Sequence, residues 1–354
     1  MHSLENEGHD FPTPALIVDL DVFERNVAKA EGLIRGTGKL LRPHVKTHRT
    51  PGLALRQLGP IASGVTCATV GEAEVMVNAG IQDVLLANEV VTPDKIRRIA
   101  SLAARVFVAV DSEEPVLALS AAAMHAGTTV HVLVDVDIGL GRCGVRDIPT
   151  IRELAVAVAR TPGLRFSGLM GYEGRFRASV SDRAIRIARA FDRLGAAKSM
   201  VESAGLEVGV VSAAGTSTIV EALRDPTITE IQAGTYALME PDLEGLGLPF
   251  ECAVYVLASV ISRSEGVVVL DAGRHTVGYD YGLPISLNPS GQTKSIADEH
   301  VVLEWVGSLP SLGARIRLRP SQNRTTFNLY NHVWLVRNER VVDKLPIEAR
   351  GSSG

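Results

Sequence analysis

Apolar runs of strand length recur near residues 40–45, 64–68, 83–87, 105–110, 129–136, 164–171, 208–212 and 229–233. Helical segments fill most of the gaps, at 71–79, 94–104, 115–126, 149–159 and 182–204. Ahead of this rhythm, Ala15-Leu16-Ile17-Val18 reads as a short strand. A helix follows from about Asp21, its apolar stripe set by Phe23, Val27, Ala30 and Ile34. Eight strands alternating with helices predict an α/β chain built as a (β/α)8 TIM barrel. The alternative, an open doubly wound sheet, lacks a GxGxxG turn after an early strand. Near Met239 the pattern changes to shorter, β-branched segments at 253–261, 266–271, 299–306, 315–319 and 332–337, punctuated by Gly and Pro. That is the signature of an antiparallel β-domain. The expected division is a barrel over 12–240 and a β-domain over 241–350, which the strand at 13–19 is a candidate to join.

Composition narrows the function classes. A chain of 354 residues with net charge −4 has no basic footprint for nucleic acid or an anionic membrane. Cys67, Cys143 and Cys252 are scattered and odd in number, which argues against a disulfide framework or a CxxC metal site. Residues 1–11 are polar without an apolar signal core, and no run reaches membrane-spanning length, so a cytoplasmic protein is expected. The closing Gly-Ser-Ser-Gly has the composition of a flexible linker.

The chemistry gathers in Leu41-Arg42-Pro43-His44-Val45-Lys46-Thr47-His48. In an extended strand Arg42, His44 and Lys46 share a face. Crowding by cations and partial desolvation would favour the neutral amine of Lys46, the form that attacks a carbonyl. A Schiff-base lysine is one reading, and an edge strand with a solvated basic face is the other. In a βα barrel the chemistry lies where strands hand over to loops. The polar residues at those points include Lys46, His48, Asn88, Glu89, Asp111, Asp135, Asp137, Arg142, Tyr172, Glu173, Ser212 and Gln232. Ser212-Ala213-Ala214-Gly215-Thr216-Ser217-Thr218 joins a strand to a helix through small residues that let backbone N–H groups approach an anion. Gln232-Ala233-Gly234-Thr235-Tyr236 offers a second donor face after the eighth strand. A reactive lysine with a phosphate cradle fits a bound phosphorylated aldehyde such as pyridoxal phosphate.

Thr13-Pro14-Ala15-Leu16 and the Arg42–His48 motif resemble the opening of the D-threonine aldolase and D-serine dehydratase group. These are fold-type III pyridoxal-phosphate enzymes related to alanine racemase. The likeness continues through Val70–Glu74, Ala87–Val91, Asp137–Val145, Gly171–Gly174, the loop at 212–216, Gln232–Gly234, Asp271–Gly273 and Pro346–Gly351. The resemblance implies that Lys46 carries the cofactor, with His44 beside it, Arg142 near the phenolic oxygen and Tyr172 beside the ring. It puts the phosphate on Ser212, Gly215, Thr216, Gly234 and Thr235. Gln232 takes the place where alanine racemase has an arginine against the pyridine nitrogen. The β-domain of this fold type covers a partner's active site, so a homodimer is implied.

The sequence also departs from the group. Its aldolases and dehydratases hold a divalent metal through His-x-Cys or His-x-Asp, where this chain has Pro320-Ser321-Gln322-Asn323-Arg324. A guanidinium offers only donors and repels a cation. No metal is expected, and Arg324 is a candidate to take over the ion's charge. His275 stands where the group tends to have lysine and is a candidate proton carrier. His48, Gln322 and Arg324 are the substrate-side candidates. The expected activity is a lyase acting on a β-hydroxy D-amino acid, by retro-aldol cleavage or β-elimination. The alternatives are an amino-acid racemase or epimerase and a non-catalytic pyridoxal-phosphate carrier.

Overall fold

The computed structural model describes residues 12–353. The polar leader at 1–11 and the last glycine of the tail lie outside them. The chain opens with β1 (Ala15–Asp19) and α1 (Leu20–Ile34). Eight strands follow: β2 (Leu40–Leu41), β3 (Val65–Cys67), β4 (Asp83–Glu89), β5 (Arg105–Val110), β6 (Val130–Val136), β7 (Leu164–Gly171), β8 (Val210–Ala213) and β9 (Glu230–Ile231). Between them run α2 (Pro51–Gln57), α3 (Val70–Asn78), α4 (Pro93–Ala100), α5 (Glu114–Ala126), α6 (Ile148–Arg160), α7 (Arg183–Glu202) and α8 (Ile219–Arg224).

All eight strands pair in parallel, in the order β2-β9-β8-β7-β6-β5-β4-β3. Parallel bridges Leu41↔Ala62 and His44↔Thr66 join the two ends, so the sheet closes into the expected barrel. Its interior packs Leu85, Phe107, Ala109, Leu133 and Met170, alternate residues of neighbouring strands. Helices α3 and α6 are helical for local reasons as well as amphipathic ones. Thr69 caps α3 by accepting from the Glu72 N–H, and Asp147 caps α6 by accepting from Thr150.

The first strand is much shorter than its apolar run. Pro43 has no N–H for a ladder, and the strand stops at Leu41. Val45–Thr47 forms a 3-10 turn, so Arg42 and Lys46 are not neighbours on one extended strand. Arg42 instead turns into the barrel, where it is 2 % exposed. It pairs with Asp83 and with Glu230 at 2.9 Å and lies 5.0 Å above the Phe107 ring. The crowding of Lys46 by a free Arg42 charge is therefore corrected: two carboxylates neutralise that guanidinium. Gly64, at φ +127°, is required beside it, because a Cβ there would come within 2.4 Å of the Asp83 carbonyl and 2.9 Å of Arg42 Nη1.

The remaining elements are β10 (Val254–Ser264), β11 (Val267–Leu270), β12 (Ile285–Ser286), β13 (Gly291–Ile296), β14 (Val301–Trp305), β15 (Arg315–Arg319), α9 (Asn323–Leu329), β16 (His332–Arg337) and β17 (Arg340–Pro346). They form a second sheet with β1 at its centre, antiparallel to β10 and parallel to β16. Ala15 and Ile17 pack there with Tyr255, Leu257 and Val336. The periodicity does not reveal β13, whose Gly-Gln-Thr-Lys-Ser-Ile is mostly polar, or β17, whose residues are mostly exposed. It misses α9 as well, a short helix on the segment where the group's metal ligands would fall.

The chain divides into two compact units, one of residues 31–46, 53–235 and 352–353, the other of 12–30, 47–52 and 236–351. The division falls at 235/236 rather than 240/241, because Tyr236 packs its ring 5.6 Å from Phe250 and the Leu238 carbonyl accepts from Ala253. Among the described residues no helix is long and apolar enough to cross a membrane.

Arg42→Met should cost about 3–5 kcal/mol, because it strands Glu230 and half of the Asp83 pairing inside the barrel. Urea denaturation is the check, and a midpoint equal to that of the parent would show that the triad is not structural.

Candidate active site

The mouth of the barrel unit brings together residues from four strand ends. The ammonium of Lys46, in its 3-10 turn, sits 5.8 Å from the centre of the Tyr172 ring, just past β7. The Arg142 guanidinium lies 5.9 Å from the same ring. A Cβ on Gly215, in the loop after β8, would touch Tyr172 at 3.5 Å. One aromatic ring thus has two cations and the small-residue loop as neighbours.

The loop carrying Arg142 is pinned at several points. Asp137 donates its N–H to the Val145 carbonyl at 3.1 Å, Val145 donates to the Asp135 carbonyl, and Gly144 donates to Asp111 Oδ2 at 3.1 Å. Gly144 holds φ +100° and has no room for a Cβ, which would lie 2.4 Å from the Asp137 nitrogen. Beneath the loop, burial lifts the Asp135 carboxyl to about 8, with Glu89 and Asp111 adding to the rise and Arg142 opposing it. Burial likewise raises the Cys143 thiol to about 11, assisted by Glu89, so it is not a poised nucleophile.

Ser212, fully buried at the end of β8, is the middle of a relay. Gln232 Nε2 donates to Ser212 Oγ at 3.0 Å, and Ser212 donates to Glu230 Oε1 at 2.6 Å. Ser63 donates to the other Glu230 oxygen at 2.6 Å, beside Arg42. The hydroxyl proton of Ser212 is thereby spent on Glu230, while Gln232 keeps its carbonyl oxygen for another partner. Gly215 donates to Thr218 Oγ1 at 3.1 Å, and Thr218 donates to Glu173. Burial raises the Glu173 carboxyl to about 7 against the pull of the Thr218 hydroxyl and nearby backbone N–H groups. Thr216, Thr235 and His44 are buried in the same unit, and Gly234 lies between β9 and Thr235. His44 donates its N–H to the Ala233 carbonyl at 3.3 Å, fixing the lysine turn to the loop after β9.

The other candidates belong to the second unit. His48 is buried, takes the Thr50 N–H on Nδ1 at 3.0 Å and stands edge-on to Phe327, 6.4 Å between ring centres. Arg324 donates to the Tyr281 hydroxyl at 2.8 Å. Gln322 precedes α9 and accepts from the Thr325 hydroxyl. His275 is 65 % exposed and pairs with Glu299 at 2.8 Å, a hydrogen bond and a charge that raise its pKa. Among the described residues, no group of three or more His, Cys, Asp or Glu is placed to hold a metal ion.

Residues 18–241 match the family model of the alanine racemase N-terminal domain, and residues 253–336 match that of the serine dehydratase domain. A D-threonine aldolase of Arthrobacter sp is 38% identical over 359 residues, 96% of this chain and 93% of that protein. A 3-hydroxy-D-aspartate aldolase of Paracoccus denitrificans is 34% identical over 360 residues, 97% of this chain and 93% of that protein. The crystal structure of D-threonine aldolase from Filomicrobium marinum superposes with a TM-score of 0.92 at 38% identity, over 98% of this chain and 97% of that one.

Two residues of consequence escape the sequence reading. Glu230 and Asp83 are acids within apolar strand runs, and a buried cation to match them is the signal that could have paired them with Arg42.

A carboxyl that stays protonated in the fold but ionises in the unfolded chain loses stability as pH rises from its free value to its folded one. For Glu173 that window runs from 4.5 to about 7, and the loss is on the order of 3 kcal/mol. Glu173→Gln should flatten the fall of melting temperature between acid and alkaline buffers. A parent-like slope in the variant would remove Glu173 as its source.

Proposed function

The chain belongs to the alanine racemase N-terminal domain family, coupled to a serine dehydratase domain, and from that premise we propose a pyridoxal-phosphate-dependent lyase of D-β-hydroxy amino acids that works by retro-aldol cleavage. The observation that carries the cofactor reading is the Tyr172 ring with Lys46 at 5.8 Å and Arg142 at 5.9 Å, beside the small-residue loop at Gly215. This donor set fits pyridoxal phosphate: an amine for the aldehyde, a guanidinium for an oxyanion, and room for a phosphate. When bound, the cofactor supplies an electron sink for the pair released as the Cα–Cβ bond breaks.

The chain's own residues do the rest. Lys46 is the amine that would hold the cofactor through its aldehyde carbon. Arg142 would hold negative charge on the phenolic oxygen of a bound cofactor, and its pinned loop would need no reorganisation to do so. Gln232, whose Nε2 donates to Ser212, would turn its carbonyl oxygen to the ring nitrogen of a bound cofactor. Ser212 and Thr216 contribute to the phosphate cradle, Ser212 through its backbone since its hydroxyl serves Glu230.

Arg324, Gln322, His48 and His275 are the proposed substrate-side groups. A guanidinium offers only donors, so Arg324 orients a carboxylate or hydroxyl oxygen. The Glu299 carboxylate favours the protonated imidazole of His275, which inclines it to donate a proton rather than to take one. Metal independence is part of the proposal and rests on Gln322 and Arg324 standing where the group has ligands. A cytoplasmic homodimer, in which the partner's β-domain completes the site, is the proposed assembly.

Incubation of the loaded protein with D- and L-amino acids, with and without chelator, followed by chiral product analysis, tests the reading. Glycine and an aldehyde from D-threonine are expected with chelator present. Keto acid and ammonia would transfer the assignment to β-elimination, and loss of optical activity alone to racemisation. Abolition by chelator with recovery on Mn²⁺ would overturn metal independence. Lys46→Ala should abolish turnover and the visible absorbance of bound cofactor; persistence of that absorbance would displace Lys46 from its role.

A further inference from the structure

Six arginines lie between residues 173 and 193, against the three acids Glu173, Asp182 and Asp192, in a chain whose net charge is −4. Several of them line a cavity of about 490 Å³ bounded by the loop after β6, the loop after β7 and the flank of α7. Arg186, Arg189 and Arg193 recur at helical spacings of three and four, so they share one face of α7. Arg146 completes the charged wall, and Ile138 and Phe176 give it an apolar side.

A tally of charges decides what this cavity accepts. Burial alone would raise the Asp137 carboxyl, but the Gly141 and Gly139 N–H groups and Arg146 hold it below the usual range. Asp137 therefore stays ionised and cancels Arg146, which it meets at 3.1 Å. Arg193 donates to the backbone carbonyls of Asp137, at 2.7 Å, and Arg146; it is fixed in place but not neutralised. Arg186 has only Asp182 at 4.0 Å in solvent, and its guanidinium lies 5.1 Å from the centre of the Phe176 ring. Arg189 has no hydrogen bond or ion pair among the described residues. The remaining acid in the wall, Glu173, keeps its proton up to about pH 7. Two to three cationic charges are left without a counter-charge in a volume suited to a small molecule.

We propose that this cavity binds a small organic dianion, a phosphate monoester or a dicarboxylate, through Arg186, Arg189 and Arg193. Guanidinium forks match both oxyanions in bidentate fashion, and an aliphatic body would rest on Ile138 and Phe176.

Calorimetric titration of the full chain loaded with pyridoxal phosphate tests it, because a filled cradle no longer competes for phosphate. Inorganic phosphate, glycerol 3-phosphate and succinate are the probes, and their ranking separates the ester from the dicarboxylate. The expected result is saturable binding of at least one probe, one per chain. It should weaken tenfold or more in the Arg186→Gln/Arg189→Gln variant at unchanged melting temperature. Both side chains are exposed, so the variant should fold. Absence of saturable binding for all three probes overturns the proposal, as does binding of equal strength in the variant.

Discussion

The buried guanidinium of Arg42 is the constraint on which the barrel and its mouth both depend. A cation cannot be left alone beside the Phe107 ring inside the barrel, since the desolvation cost is several kcal/mol per ion. It recruits Asp83 from β4 and Glu230 from β9, the neighbours of the two end strands of the sheet. Barrel closure and charge compensation are thus one event. Glu230 then has one oxygen left for Ser212, and Ser212 in turn fixes Gln232. An ion pair inside the barrel sets which atom of Gln232 is free at the mouth. Replacing such a network with apolar residues often leaves stability unchanged, so its value here lies in specifying that orientation.

The lysine turn is organised by the same short stretch. Arg42 is committed inward, Pro43 ends the ladder, and the next three residues coil into a 3-10 turn. Pro43 still accepts the Thr66 N–H through its carbonyl at 2.9 Å, and His44 donates to Ala233. Lys46 is therefore carried by backbone tied on both sides, to the strand before and the strand after it in the closed sheet. A long, flexible side chain gains aim from a rigid base, which a solvated edge strand would not provide.

Much of this was legible in the sequence. The strand rhythm gave the barrel because fully buried parallel strands are continuous apolar runs, such as Val106–Val110 and Val132–Val134. The loops at 212–218 and 232–236 stood out in the sequence because few residue types let a backbone approach an anion. The exchange of partners around Glu230 was not readable, since alternation predicts a side chain's face but not its hydrogen bonds. Alternation itself misled at Lys46, where a proline two residues past the last paired strand position ended the period. α9 was hidden because Asn323–Leu329 is rich in Asn and Thr, poor helix formers held by context: Glu240 accepts the Asn323 N–H at 2.8 Å.

Protonation explains how an acidic chain keeps cationic groups effective around one barrel mouth. Asp135 and Glu173 lie next to Arg142 and to the arginine cavity respectively, and both retain protons well above the ordinary carboxylate range. Were they ionised at neutrality, each would pair with the nearest guanidinium and remove a positive charge from the wall. Burial favours their neutral forms, Asp135 more than Glu173, and to that extent they hold hydrogen bonds without spending cations. Asp137, by contrast, sits in reach of two glycine N–H groups and remains ionised, and the single arginine it cancels is the outward-facing Arg146. The depth at which each carboxyl is placed, more than the count of acids and bases, decides where positive charge is left for a ligand.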